Sequence, residues 1–343
     1  MKGVIFAIIL ASASFFLLPP GRVTARGQHI PIPSEVEDSS ETHRRLLDFA
    51  DPKTVKHVER SHIIRLKGLV DPELQEARQE ARQKARALLV DRGVEFIDGH
   101  VPKVIWTFYG GPLSERRAEG LKTIDDYAFK RGLKHIHVTF DNIHEFEAAE
   151  WHPVFEDSLG ANEKGLPKLL SGVHISDYFR TYIGYYFGGW YSDVKLLREE
   201  VEILDYLENM AAADKSLTGF VEGGVGGVAY SSWGAEMVGA PVEEVKASVD
   251  QLICNGAFGT RPGSVIFSRL VDINDKHLTL VEETLRQHPA EMWRCCQHAT
   301  KYPIKWANLY GNVLHSLEYL HPEEMHIIRN MKCEQAYDMA NYQ

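Results

Sequence analysis

Val101-Pro102-Lys103-Val104-Ile105-Trp106-Thr107-Phe108-Tyr109, closed by Gly110-Gly111, constrains this chain more than any other stretch. A short apolar run bounded by a turn signal reads as a buried strand. A helical stretch from Ser114 to about Arg131 and a second strand from His135 to Phe140 come after it. Strand, helix and strand in close succession predict an α/β layered domain with a largely parallel sheet. Ligands of such sheets sit at the carboxyl ends of the strands, which makes Thr107, Phe108 and Tyr109 candidate ligand contacts. No repeat or linker interrupts the chain after Phe140, so residues 100–343 read as one domain of catalytic size.

The segment before it has another character. Lys2, an apolar run from Val4 to Leu18, Pro19-Pro20 and small residues ending at Ala25 have the order of a signal peptide. The run is shorter than the roughly 20 residues of a spanning helix. It also fits an uncleaved anchor that would hold the protein to a membrane through residues 4–18. Both readings place the body in the secretory pathway, in the Golgi lumen or outside the cell. Residues 26–99 are polar and read as a stem, with a helix over 72–90. Asp71 supplies its N-cap, Pro72 its first position, and Gly93 its stop. Its stripe of Leu74, Ala77, Ala81, Ala85, Leu88 and Leu89 is weakly apolar, so a solvated stem helix is expected rather than a coiled-coil seam.

Charge narrows the partners. With 38 Lys+Arg against 48 Asp+Glu the net charge is −10, and no basic stripe is present to neutralise a phosphate backbone, so nucleic acid is not an expected partner. An apolar fraction of 44% with 25% charged residues excludes a disordered acidic tail and a polytopic membrane protein. Cys254, Cys295, Cys296 and Cys333 lack CxxC spacing. A bridge between the adjacent Cys295 and Cys296 is strained, so any disulfide is expected to join one of them to Cys254 or Cys333.

The chemistry concentrates between Ser171 and Leu197. Ser171 caps a helix that runs to Gly188-Gly189, with Ile175, Phe179, Tyr182, Ile183 and Tyr186 as its apolar stripe. Asp177, Arg180, Thr181 and Gly184 fall on another face at i, i+3, i+4 and i+7. A carboxylate and a guanidinium with a glycine beside them suit the close approach of a ligand. After the glycines, Trp190 to Leu197 is expected to form a strand with Tyr191, Asp193 and Lys195 on one face.

Ile175-Ser176-Asp177-x-x-Arg180, the aromatic helix and Gly188-Gly189-x-Tyr191-x-Asp193 together resemble the core of the DXD-type glycosyltransferases, among them the capsular-polysaccharide-synthesis and initiating-mannosyltransferase-like enzymes. Val101 to Trp106 resembles their first strand, and Cys254-Asn255-Gly256 through Pro262-Gly263 resembles their late Asn…Pro-Gly segment, in the same order. The resemblance covers about residues 100–265 and implies a GT-A fold, a Rossmann-like sheet with flanking helices. It implies transfer of a sugar, generally with retention, from a nucleotide-sugar donor to a glycan or glycoconjugate acceptor. Asp177 and Arg180 would hold the donor sugar and diphosphate, with Gly184, Gly189, Tyr191 and Lys195 in the donor region. Thr107 to Tyr109 would meet the nucleoside, Asn255 would approach the reacting sugar, and Asp193 would be a catalytic ligand of Mn²⁺ or Mg²⁺. His298 and His315 are further candidate metal ligands.

The sequence departs from that family at one place. The second Asp of the DXD signature is Lys195 here, and one carboxylate is a thin anchor for a cation. Lys195 favours a rival reading, a non-catalytic relative that binds sugar without transferring it. A second rival is an interaction protein whose working part is the helix over 72–90. The Gly-rich run Gly223 to Gly227 after Glu222 is expected to be an acceptor-side lid, and the segment from Tyr302 to His315 to close the donor site.

Overall fold

A computed structural model describes residues 72–162, 165, 168–222, 232–291 and 301–338. The signal or anchor segment, the stem up to Asp71, Gly223 to Gly227, Cys295, Cys296 and His298 lie outside the described residues. None of the described helices is long and apolar enough to cross a membrane.

Helix α1 (Pro72–Asp91) leads into an antiparallel pair, β1 (Phe96–Ile97) with β2 (Val101–Pro102). Next come β3 (Val104–Phe108), α2 (Glu115–Lys130) and β4 (Lys134–Val138). The expected strand–helix–strand unit is present, and Ser114 caps α2 by accepting the Arg117 N–H. Then come α3 (Pro153–Ser158), α4 (Gly172–Tyr186), β5 (Gly189–Ser192), α5 (Ile203–Ala212) and β6 (Leu217–Val221). The chain closes through α6 (Trp233–Val238), α7 (Val242–Ala247), β7 (Ile253–Thr260), α8 (Val265–Gln287), α9 (Gly311–Leu320) and β8 (Met325–Lys332).

Six strands form one sheet in the order β4-β3-β5-β7-β6-β8. Neighbours run parallel except at β7, which is antiparallel to both β5 and β6. The protein is thus α/β with a mostly parallel sheet flanked by helices. Strand alternation feeds two cores. Val104, Trp106 and Phe108 of β3 and Tyr191 of β5 join the larger core with α4, α8 and α9. Ile105 and Trp190 point to the other face, against Ile124 and Tyr127 of α2 and Leu207 of α5.

Three expectations are corrected. The helix over 72–90 is not a solvated stem element, because Ala81, Ala85 and Leu89 are buried in the larger core. Arg78 of that helix pairs with Asp272 of α8, and Arg82 donates to the Tyr185 hydroxyl at 2.9 Å. Alanines that make a poor coiled-coil seam allow close approach to α4, so residue 100 is not where the packing changes. The strand expected over Trp190 to Leu197 ends at Ser192. There the Asp193 N–H donates to the Gly256 carbonyl (2.8 Å) and the Lys195 N–H turns back onto the Asp193 carbonyl (2.8 Å). The disulfide joins Cys254 to Cys333, with Cα atoms 5.9 Å apart, so neither Cys295 nor Cys296 is its partner. The β6 pairings to β7 and β8 bring those two distant cysteines to one end of the sheet.

Candidate functional site

Because β7 runs against its neighbours, its amino end meets the carboxyl ends of β3, β5 and β6 at one edge of the sheet. That edge collects Tyr109, Asp193, Glu222 and Asn255. Helix α4 lies across it, started by Ser171, whose hydroxyl accepts the His174 N–H. The first turns of α4 then present Ser176, Asp177 and Arg180.

Arg180 is the centre of the cluster. Its Nη1 donates to the Asn255 carbonyl at 2.8 Å, and its Nη2 donates to Ser176 Oγ at 3.2 Å. It pairs with Asp177 at 3.1 Å and faces Asp193 at 3.7 Å. The guanidinium also lies against the rings of Tyr191 and Tyr310, 4.8 and 5.0 Å from their centroids. The second cation is Lys195, whose Nζ is 3.0 Å from Asp193 Oδ2 and 5.4 Å from the Tyr337 ring centroid. Tyr337 is tied to β5 through the Ser192 hydroxyl at 2.7 Å. Lys195 and Asp193 keep 23% and 29% of their side chains exposed, so this side of the cluster is reachable from solvent.

The carboxylates differ in character. Burial pushes Asp177 up to about 7, against the pull of Arg180. Burial acts on Asp193 in the same sense, but Lys195 and Arg180 together hold its carboxyl below the usual range. Burial also pushes the Tyr191 phenol up to about 12, so it stays neutral, 3.0 Å from the Ser176 hydroxyl. Asp193 is therefore the ionised anion of the site, with a cation on each oxygen.

A second polar group borders the first. Glu222 sits just past β6, with its carboxylate 3.5 Å from His315 Nε2 and 18% of its side chain exposed. Burial raises it above the usual carboxylate range, while the Asn255 N–H and Lys195 pull the other way. His315 is fully buried, its Nε2 3.1 Å from the Ile253 carbonyl, and burial holds it neutral with a pKa of about 4. Behind it Glu318 accepts the Ile253 N–H at 2.9 Å, and burial pushes its carboxyl well up.

The other sequence candidates sort by position. Thr107 is buried, its hydroxyl 2.9 Å from His135 Nε2 and 2.9 Å from His137 Nδ1. Phe108 packs on Phe179, ring centroids 5.2 Å apart. Of the expected nucleoside contacts only Tyr109 is partly exposed, with Arg117 over its ring at 4.5 Å. Gly184 lies two turns beyond Asp177, where a Cβ would run into the Phe267 ring, so its smallness serves the packing of α4 on α8. Gly189 opens β5 at the opposite end from Asp193, with φ +94° and no room for a Cβ beside Val104. Both glycines are packing positions. Among the described residues no group of three or more His, Cys, Asp or Glu side chains converges to hold a metal ion.

Tyr337 and Arg117 are site residues for which the sequence reading had no assignment, whereas Tyr310 belongs to the segment expected to close the donor site and Glu222 stands at the start of the expected acceptor-side lid. No family model, no curated protein and no solved structure matches the chain.

Proposed function

We propose that this protein is a glycosyltransferase of GT-A type that takes a sugar from a nucleotide-sugar and passes it to a glycan or glycoconjugate. The observation that carries the reading is the Arg180–Lys195 pair at the carboxyl edge of a mostly parallel sheet, around the ionised carboxylate Asp193. Nucleotide ligands of such sheets bind at that edge. A nucleoside diphosphate leaving group gathers negative charge, and two fixed cations in a partly buried setting are suited to receive it. Tyr109 offers an aromatic face for the base at the same edge. Glu222, raised by burial and partly exposed, would accept the proton of an acceptor hydroxyl in this reading. The Cys254–Cys333 bridge supports a secretory or extracellular setting, since such bonds persist in oxidising compartments.

The pairing of Asp193 with Lys195 favours one rival, a sugar-binding protein with no transfer activity. A panel of nucleotide-sugars, scored for release of free nucleotide with and without glycan acceptors, separates the two. The expected result is nucleotide release from one donor class that Arg180→Lys reduces. Donor binding without any release supports the rival, and no binding of any donor sinks the proposal.

A further inference from the structure

We propose that this site works without a divalent cation, because Lys195 occupies the position and takes the role of the metal; the inference rests on the transferase reading. The resemblance calls for Mn²⁺ or Mg²⁺ on Asp193, and the donor set does not fit that ion. Asp193 Oδ2 is 3.0 Å from the Lys195 ammonium and Oδ1 is 3.7 Å from the Arg180 guanidinium, so each oxygen already faces a cation. A metal bound to either oxygen would stand beside two positive charges. The next carboxylate, Asp177, is taken up by Arg180 at 3.1 Å. His315 is turned to the Ile253 carbonyl and Glu222. A hard divalent ion needs several oxygen ligands, and these residues offer it no second free one.

Lys195 is held in its place from two sides. Asp193 grips the ammonium and the Tyr337 ring lies beyond it. Gly256 leaves the gap open, because a Cβ there would stand 2.9 Å from Asp193 Oδ2 and 3.8 Å from Lys195 Nζ. The Lys195 side chain keeps 23% of its surface exposed, which leaves a diphosphate a way to reach it.

The step balances without a metal. The bond between the sugar's anomeric carbon and the diphosphate oxygen breaks, and its electron pair leaves with the diphosphate. Lys195 meets that charge with its N–H donors, and the guanidinium of Arg180, already bonded within the cluster, adds its positive charge from behind. The acceptor oxygen bonds the anomeric carbon, and its proton passes to the Glu222 carboxylate.

The experiment uses the full chain, stripped with EDTA, and tracks calorimetric binding of UDP and GDP together with nucleotide-sugar turnover. Binding and turnover are expected to be the same in EDTA and in Mn²⁺. Lys195→Met is expected to weaken diphosphate binding by about tenfold or more, and Lys195→Arg to keep most of it. Lys195→Asp, which restores a second carboxylate, is expected to make Mn²⁺ stimulate turnover. Thermal melts of each variant separate lost binding from lost folding. If EDTA abolishes diphosphate binding and Mn²⁺ restores it, the inference is overturned while the transferase reading stands. The same holds if folded Lys195→Met binds as well as wild type. If neither diphosphate binds in either condition, both readings fall.

Discussion

Arg180 reaches Asp177, Asp193, the Asn255 carbonyl and two tyrosine rings at once. An ammonium at that position keeps the charge and loses the planar fork. Arg180→Lys is therefore expected to cost about 1–3 kcal/mol of stability and to weaken diphosphate binding further than that loss explains. Melts and calorimetry on the same sample check it. Asp177 tests the electrostatics. Its carboxyl is raised in the fold, so between the unfolded value and about 7 the native state holds a proton that the unfolded chain has released. Its contribution to stability therefore falls as pH rises through that window and is level above it. Asp177→Asn removes the slope, and the variant is expected to gain on wild type by about 2–3 kcal/mol between pH 5 and pH 8. Denaturant titrations at the two pH values would show a constant gap if Asp177 ionises normally. This pair was legible in the sequence because its spacing is local to one capped helix. Tyr337 was not, because it lies more than a hundred residues along the chain and only the sheet order brings it to Lys195; Tyr310 was legible only as part of the segment expected to close the donor site.

Among the elements, α1 separates composition from position. Its weak stripe reads as a solvated helix, yet three of its residues are in the main core. Small side chains carry little hydrophobic signal while permitting close helix contact, and periodicity alone cannot show what lies opposite. A chain starting at residue 96 would lose Ala81, Ala85, Leu89, Val94 and the Arg78–Asp272 pair together. It is expected not to fold, whereas one starting near residue 72 is expected to fold; solubility and a cooperative melt decide. Within the helix, Leu89→Ala is expected to cost about 2–5 kcal/mol. At the α4–α8 crossing, Gly184→Ala drives a methyl into the Phe267 ring and is expected to cost about 1–3 kcal/mol. Strand β3, α2 and β4 were legible from their apolar runs and caps. The end of β5 was not, because it is set by a hydrogen bond to Gly256 that no local pattern announces.

At the scale of the whole molecule, buried histidines set the response to acid. His137, His174, His277 and His315 are all driven by burial to about 4 or below. A lowered folded value means that the unfolded chain takes up protons first as pH falls below about 6.5. Stability is therefore complete above that value and is lost on the way down toward 4. Each group contributes about 3 kcal/mol, so any two outweigh the opposite slope of Asp177. Melting temperature is expected to fall steeply between pH 6.5 and 4, and a flat profile would show that these rings are protonated in the fold. The disulfide acts across the same span. Cys254 precedes Asn255, whose carbonyl holds Arg180, and Cys333 leads into the turn that carries Tyr337 behind Lys195. Titration with a glutathione couple is expected to abolish diphosphate binding before the helical signal changes. The bond thus joins the two walls between which both cations are seated. In the secretory setting proposed above, completion of the site would be an oxidation event, dated to the chain's arrival where thiols can pair and not to the moment of its synthesis.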